Sequence, residues 1–392
     1  MALIVSGVAT FIQVKRIGPV GSGILSIQGT SFAFLGAILT AGFMVKNQGG
    51  GPNEILSTIF SICFFGAFIE MVLSRFLQHL RKIITPVVTG TVVTLIGLSL
   101  VKVGVMDMAG GKWLLDNKPD LFGSAQNLFL AFLVLVIVVI LTSSKNQFLR
   151  MGSIVIGLIV GYIIAAFMGK VNFSALQGLP LINIPIPFKY GFSFNLTAFI
   201  PVAFIYLITT IESVGDLTAT SMVSGQPIAG DLYLKRIKGG VLGDGVNSAI
   251  AAMFNTFPNT TFSQNNGVIQ LTGIASRYVG MYLAGFLVLL GLFPVIGAFF
   301  RSLPSPVLGG ATIVMFGMVG AAGIRIIASS EIDRRDMLIM AVAFGLGFGV
   351  AYVPEFLNKA PKAIQQIFGS AVTTGGITAL LLNTFLPGRK DK

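Results

Sequence analysis

Long apolar runs broken by short polar stretches set the pattern of this chain. Six runs lie near 2–14, 22–43, 55–74, 83–101, 126–142 and 151–168. A polar stretch containing Pro and Asn covers 171–190. Seven more runs follow, near 193–215, 239–256, 260–275, 279–300, 305–324, 337–353 and 369–387. Most hold about 17–22 residues, enough for a helix to cross a hydrocarbon layer about 30 Å thick. The pattern therefore predicts about thirteen spans. Two runs are interrupted by polar residues, at Ser26-Ile27-Gln28-Gly29-Thr30-Ser31 and at Phe262-Ser263-Gln264-Asn265-Asn266-Gly267. Pro258 before the second interruption and Gly267 after it favour extended backbone. That backbone leads into a half-helix starting near Gly267, with free N–H groups and a positive dipole end at mid-membrane.

The two halves of the chain resemble each other. Thr85-Pro86-Val87-Val88-Thr89-Gly90 and Ser305-Pro306-Val307-Leu308-Gly309-Gly310 each open an apolar helix, and each lies downstream of one interrupted run. An odd number of spans separates them, so the halves are inverted in the membrane. Paired interrupted segments in inverted halves point to a transporter binding site. The fold class predicted is an all-α polytopic membrane protein. It has an inverted-repeat transporter architecture and short extended segments in its two interrupted spans.

Charge orients the chain. With the loop at Lys15 and Arg16 in the cytoplasm, strict alternation puts 17 basic residues on the cytoplasmic side and nine on the other. This positive-inside bias places Lys392 in the cytoplasm. It also accounts for the net charge of +12 without a nucleic-acid partner. Of the 392 residues, 54% are apolar and only 10% charged, too few charges to cover a water-facing surface. Mean hydropathy is +0.88. The 48 glycines fit close helix contacts and broken helices. The single cysteine, Cys63, excludes a disulfide within the chain. No zinc spacing or phosphate loop is present, so neither a cofactor nor ATP-driven transport is expected.

Polar residues inside the runs carry the candidate chemistry. Glu212 and Asp216 are four apart and share a helix face. An intramembrane carboxylate is costly and usually faces a cavity or an ion path. Glu212 could accept two N–H donors from a polar ring, and it could carry a proton. Alternatively it braces the bundle, while Asp216 sits at the cytoplasmic mouth. Gln264 could give a bidentate amide contact to a lactam edge, with Asn265 beside it. Helix–helix adhesion is the alternative for both. Gln28 and Ser31 occupy the equivalent place in the first half. Asp244, at the start of the 239–256 run, reads equally as a helix cap and as a functional carboxylate. Phe32, Phe262 and Tyr206 are candidates to stack on a planar solute, or ordinary core.

Taken in order along the chain, these segments resemble the nucleobase–ascorbate transporter (NCS2) family, in its bacterial xanthine and uric acid permease branch. Gln264-Asn265-Asn266-Gly267 through Thr272 is similar to the family signature. The stretch from Glu212 to Thr220, Lys235-Arg236-Ile237-Lys238-Gly239-Gly240, and Gly18-Pro19-Val20-Gly21-Ser22-Gly23 add to the likeness. The resemblance implies proton symport of a purine nucleobase, most of all xanthine, by a multi-pass permease of the cell inner (cytoplasmic) membrane. It implies substrate contacts from Glu212, Gln264, Asn265, Gln28, Ser31 and Phe262, and proton coupling through Glu212, Asp216 and Asp244. Core segments would be 1–74 and 193–300, gate segments 75–170 and 301–392, and 171–192 an extracytoplasmic connection. Expected partners are the oxopurine, protons, membrane lipid and, as an open candidate, a second copy in a homodimer. Family members carry one span upstream of the point where this chain starts, so the chain is expected to lack the family's first span.

Three other readings stand beside this one. Uric acid or uracil could be the substrate. An anion transporter of the same architecture would want a basic residue in the interrupted stretches, and neither stretch has one. A membrane enzyme would want a nucleophile–base pair or a metal cluster. The only histidine, His79, sits beside Arg81 near a loop.

Overall fold

The fold was analysed in a computed structural model that describes residues 1–77, 85–172, 178–182, 185–228, 230–262, 264–361, 364–365 and 368–387. At Gln264, Gly267, Gln270 and Leu271 the description covers the backbone alone. His79 and Arg81 lie outside the described residues.

The chain opens with α1 (Ala2–Lys15), then strand β1 (Gln28–Thr30) and a 3-10 turn (Phe32–Phe34) that runs into α2 (Leu35–Asn47). Next come α3 (Pro52–Leu73), α4 (Pro86–Met108) and α5 (Lys112–Asn117). They are followed by α6 (Ala125–Thr142), α7 (Gln147–Met151) and α8 (Ser153–Phe167). The second half holds α9 (Leu196–Val223), α10 (Gly230–Met253), strand β2 (Asn259–Thr261) and α11 (Gln264–Thr272). It closes with α12 (Arg277–Leu292), α13 (Pro294–Arg301), α14 (Ser305–Ala328), α15 (Arg334–Tyr352) and α16 (Ala371–Phe385).

Every one of the thirteen apolar runs contains helix, but they do not all make full-length spans. Among the described residues six helices are long and apolar enough to cross a membrane: α3, α4, α6, α9, α14 and α15. The run at 279–300 is not one straight span. It splits into α12 and α13, bent by 76°. Phe293 is extended where the two meet, as a residue before proline prefers, and Pro294 starts the new helix. Counting that pair as one span gives seven. The apolar helices α1, α8, α16 and the stretch 32–47 are shorter.

Two helix starts differ from expectation. The helix expected near 239 begins at Gly230, which puts Asp244 in its middle and removes it as an N-cap. The second half-helix begins at Gln264 rather than near Gly267. Its first turn closes when Asn265 N donates to Phe262 O at 3.1 Å, so the amides themselves are helical. Side-chain caps behave as polar termini should. Asn195 accepts from Ala198 N at the start of α9, and Asp333 with Asp336 forms a capping box on α15.

The chain divides into two compact units, one of Met1–Val92, Asn183–Leu292 and Ile326–Lys392, the other of Val93–Ile182 and Phe293–Arg325. In the first, α1 packs along α12 and α3 along α10. The α3–α10 contact is close because of Gly245. A Cβ there would lie 2.9 Å from the backbone nitrogen of Met71 and 3.1 Å from Ala67 O. A second core patch joins Val87, Val88, Ile339, Ala343 and Ala379. In the other unit Leu130, Val134, Val138 and Ala165 pack with Leu303, Val307 and Ala311. Near them Lys170 Nζ donates to Asn127 Oδ1 at 2.6 Å.

Candidate functional site

The candidate site lies wholly in the first unit, around a two-stranded ladder. β1 and β2 pair antiparallel, with Gln28 opposite Thr261, Gly29 opposite Thr260 and Thr30 opposite Asn259. Flanking backbone bonds extend the pairing: Ser31 N donates to Pro258 O at 2.9 Å and Phe262 N to Ile27 O at 3.0 Å. One strand comes from each half of the chain, so the two halves are joined here by main-chain bonds. Because the strands are antiparallel, the helical segments that follow them leave in opposite directions. Backbone that runs extended at membrane depth has to be buried in protein, and β2 is buried along its whole length.

A network of side chains fastens the ladder to three helices. Asp244 of α10 is fully buried. Its carboxylate accepts from Ser213 of α9, from Gln13 Nε2 of α1 at 3.3 Å, and from Thr261 Oγ1 of β2 at 3.2 and 3.3 Å. Thr261 Oγ1 in turn accepts from Gln28 Nε2 at 2.8 Å. Gln28 N donates to Thr10 Oγ1 at 3.0 Å, which adds a second tie to α1. Asp244 is therefore the node that sets the strands against α1, α9 and α10. Two acceptors in the network stay unused. The Oε1 atoms of Gln13 and Gln28 are buried without a hydrogen-bond partner.

The sequence-derived residues fall into distinct places around this node. Gln28 joins Asp244 through Thr261. Ser31 is buried just beyond β1, and the Phe262 ring lies over Gly29, where a Cβ would collide with it. Asn265 is buried and donates Nδ2 to Leu25 O at 2.8 Å. Asn266 accepts from Thr220 Oγ1 at 2.6 Å and donates to Asp216 O at 3.4 Å, fastening α11 to α9. Glu212 and Asp216 lie one turn apart on α9, both half-buried, and Glu212 adjoins Ser213, which binds Asp244. Neither Glu212 nor Asp216 makes a side-chain hydrogen bond to another described residue, the bonds from Thr220 and Asn266 going to the Asp216 backbone carbonyl, so both carboxylates remain open to a ligand. The Gln264 side chain lies outside the described residues. Tyr206 is fully buried, with its ring against Phe34 and its hydroxyl donating to Cys63 O at 2.8 Å, so it is core.

Several residues of this network, and Glu70 outside it, escape a reading of the sequence. Gln13 sits two residues before Lys15 and looks like the interfacial end of its helix. Ser213 and Thr261 are short hydroxyls of a kind common in membrane helices. Glu70 carries a usable signal, since it is a carboxylate inside the 55–74 run. It is buried on α3, with Oε1 lacking a hydrogen-bond partner. Among the described residues no group of three or more His, Cys, Asp or Glu side chains could hold a metal ion.

Comparison with known proteins places this arrangement. Xanthine permease XanQ of Escherichia coli strain K12 is 49% identical over 388 residues, 99% of this chain and 83% of the relative. Xanthine permease XanP of the same strain is 45% identical over 392 residues, all of this chain and 84% of the relative. Uric acid permease PucJ of Bacillus subtilis is 36% identical over 393 residues, with the same coverage. Among solved structures, the transmembrane domain of a cyanobacterial bicarbonate transporter, BicA, covers 98% of this chain and 97% of that one, with a TM-score of 0.56 at 15% identity. The murine Solute Carrier 26 family member A9 anion transporter, in its inward-facing state, covers 97% of this chain and 63% of that one, with a TM-score of 0.65 at 13% identity. At such low identity these two structures show the fold, an inverted-repeat membrane transporter fold, and nothing of the substrate. A model described as the permease family matches residues 1–356. The chain is a multi-pass membrane protein and not an enzyme, and it belongs to the permease family, the nucleobase–ascorbate transporters, in the branch of the xanthine and uric acid permeases.

Proposed function

We propose that this chain takes up xanthine across the cytoplasmic membrane by proton symport. The substrate class rests on identity of 45–49%, over essentially the whole chain, to two xanthine permeases. The observation that carries the mechanism is the contrast between two acids. Asp244 has three protein donors and is shut off from solvent, whereas Glu212, beside it on α9, is half-buried and has no donor among the described residues. A carboxylate left open next to a rigid node suits a planar lactam, which offers N–H groups in one plane. Protonated, the same group still accepts at its carbonyl oxygen, so it can carry a proton in with the base and release it on the cytoplasmic side.

In this reading Gln264 and Asn265 face the base from the α11 side, Gln28 and Ser31 close the site from β1, and Phe262 offers a ring edge. Asp216 and Asp244 complete the proton path. Segments 1–74 and 193–300 form the core that carries the site, 75–170 and 301–392 form the gate, and 171–192 connects them outside the cell. The C-terminus lies in the cytoplasm, and lipid and a second copy of the chain are the remaining partners. Uric acid is the second candidate substrate, because the uric acid permease PucJ is 36% identical over the full chain.

The test is uptake of radiolabelled xanthine, urate and uracil in cells lacking their own permeases. Saturable xanthine uptake that urate inhibits weakly supports the reading. Saturable urate uptake without xanthine uptake would replace it with the uric acid reading.

A further inference from the structure

Glu70 is absent from the mechanism above, yet it is one of the most thoroughly buried carboxyls in the chain, at 1% exposure on α3. Its Oε1 atom has no hydrogen-bond partner. The position follows from packing. Gly245 lets α10 approach until a Cβ there would lie 2.9 Å from Met71 N. Glu70 and Asp244 are the residues immediately before the two that touch, so the contact brings their helix turns together.

The surroundings offer no compensation. From α10 the facing titratable group is Asp244. From α9 they are Glu212 and Tyr206, whose hydroxyl is committed to Cys63 O. α2 also packs on α3, and its basic residue Lys46 is in its last turn. That places Lys46 beside the start of α3, about five helical turns from Glu70. Among the described residues no Lys, Arg or His forms an ion pair with Glu70. An ionised carboxylate needs donors at both oxygens or a counter-charge, and here it would face two further acids instead. Burial without partners therefore selects the neutral, protonated acid.

Resting on the symport reading above, we infer that Glu70 is a further proton-holding residue of the coupling mechanism, placed behind Asp244 and out of reach of substrate. When the site loses its proton, the O–H bond at a Glu70 carboxyl oxygen breaks as one forms at a carboxylate oxygen of Asp244. That transfer is itself charge-neutral and gives the base site back its acid; the proton released to the cytoplasm leaves the cluster one unit more negative, and the next proton to enter restores it on Glu70. Glu70 is thus a positioning residue for the proton and does not contact the base.

The experiment compares wild type with Glu70→Gln in proteoliposomes, at matched protein and matched detergent monodispersity. Xanthine counterflow at equal pH on both sides needs binding and reorientation without net proton movement, and it should stay within about twofold of wild type. Net uptake driven by a pH gradient should fall by roughly tenfold or more and lose its dependence on external pH. Unchanged gradient-driven uptake and an unchanged pH profile would overturn the inference. Loss of counterflow together with net uptake, in protein that stays monodisperse, would also overturn it and make Glu70 a binding or structural residue.

Infrared spectroscopy of substrate-free protein supplies a measurement independent of transport. The protonated-carboxyl C=O band should lose one component in Glu70→Gln, and an unaltered band would contradict a protonated Glu70. Failure of the symport reading looks different. Wild-type uptake would then ignore the proton gradient, while the infrared band would still report on Glu70.

Discussion

The Thr261 hydroxyl is the narrowest point in the network, and Thr261→Val tests whether the network holds the ladder. Thr261 Oγ1 accepts from Gln28 Nε2 at 2.8 Å and donates to Asp244 at 3.2 to 3.3 Å. Valine keeps the branched shape, so little cavity forms and the cost is polar. The lost bond to a neutral amide is worth about 1 kcal/mol and the lost bond to a carboxyl about 2 kcal/mol. Gln28 is 1% exposed and already has one unpartnered amide oxygen, so its orphaned Nε2 has no water to turn to. Added together they set an upper bound of about 3 kcal/mol, since bonds in one network couple. Expressed in binding, that is about a hundredfold loss of xanthine affinity. Scintillation-proximity binding of radiolabelled xanthine to purified protein reads the affinity, and thermal unfolding in detergent reads the stability. Thr261→Ser restores the hydroxyl and should recover most of both. Wild-type affinity and wild-type melting in Thr261→Val would refute the role given to the hydroxyl.

Three further substitutions probe other parts of the account. Glu212→Gln should abolish concentrative xanthine uptake at matched expression, and wild-type rates would remove Glu212 from the site. Gln264→Ala should weaken xanthine binding by about ten- to a hundredfold, the cost of an unpaired polar edge at about 1–3 kcal/mol, with little change in melting temperature; isothermal titration of purified protein checks it. Gly245→Ala should destabilise the protein by about 1–3 kcal/mol, because the new methyl presses on the α3 backbone rather than on a side chain that can turn away. A melting temperature equal to wild type would show that α3 and α10 are not in backbone contact.

The parts of this protein legible in its sequence are those that solvent exclusion dictates. Apolar runs of membrane length locate the helices because each backbone polar group in lipid must be bonded within its own segment. The interruptions at Gln28 and Gln264 were readable for the same reason, since a Pro and a cluster of amides cannot sit in an unbroken lipid-facing helix. What was hidden depends on contacts between distant segments. Asp244 read equally as a cap and as a functional carboxylate, because the extent of its helix was hidden; α10 begins at Gly230, which removes the cap reading. The strand of the second half lies at Asn259–Thr261, ahead of the amides, because its pairing with β1 is long-range and leaves no periodic mark in three residues. Gln13 and Ser213 matter only because the fold brings both to Asp244. Glu70 does leave a mark in the sequence, as a carboxylate inside the apolar run at 55–74.

The central claim, proton-driven xanthine uptake through Glu212, is tested most directly by one measurement in proteoliposomes of purified protein. Radiolabelled xanthine accumulation is followed under an inward proton gradient, with and without a protonophore, and with external sodium replaced. The account predicts accumulation that the protonophore abolishes, that sodium replacement leaves intact, and that Glu212→Gln lacks. Accumulation that survives the protonophore and collapses without sodium would contradict it.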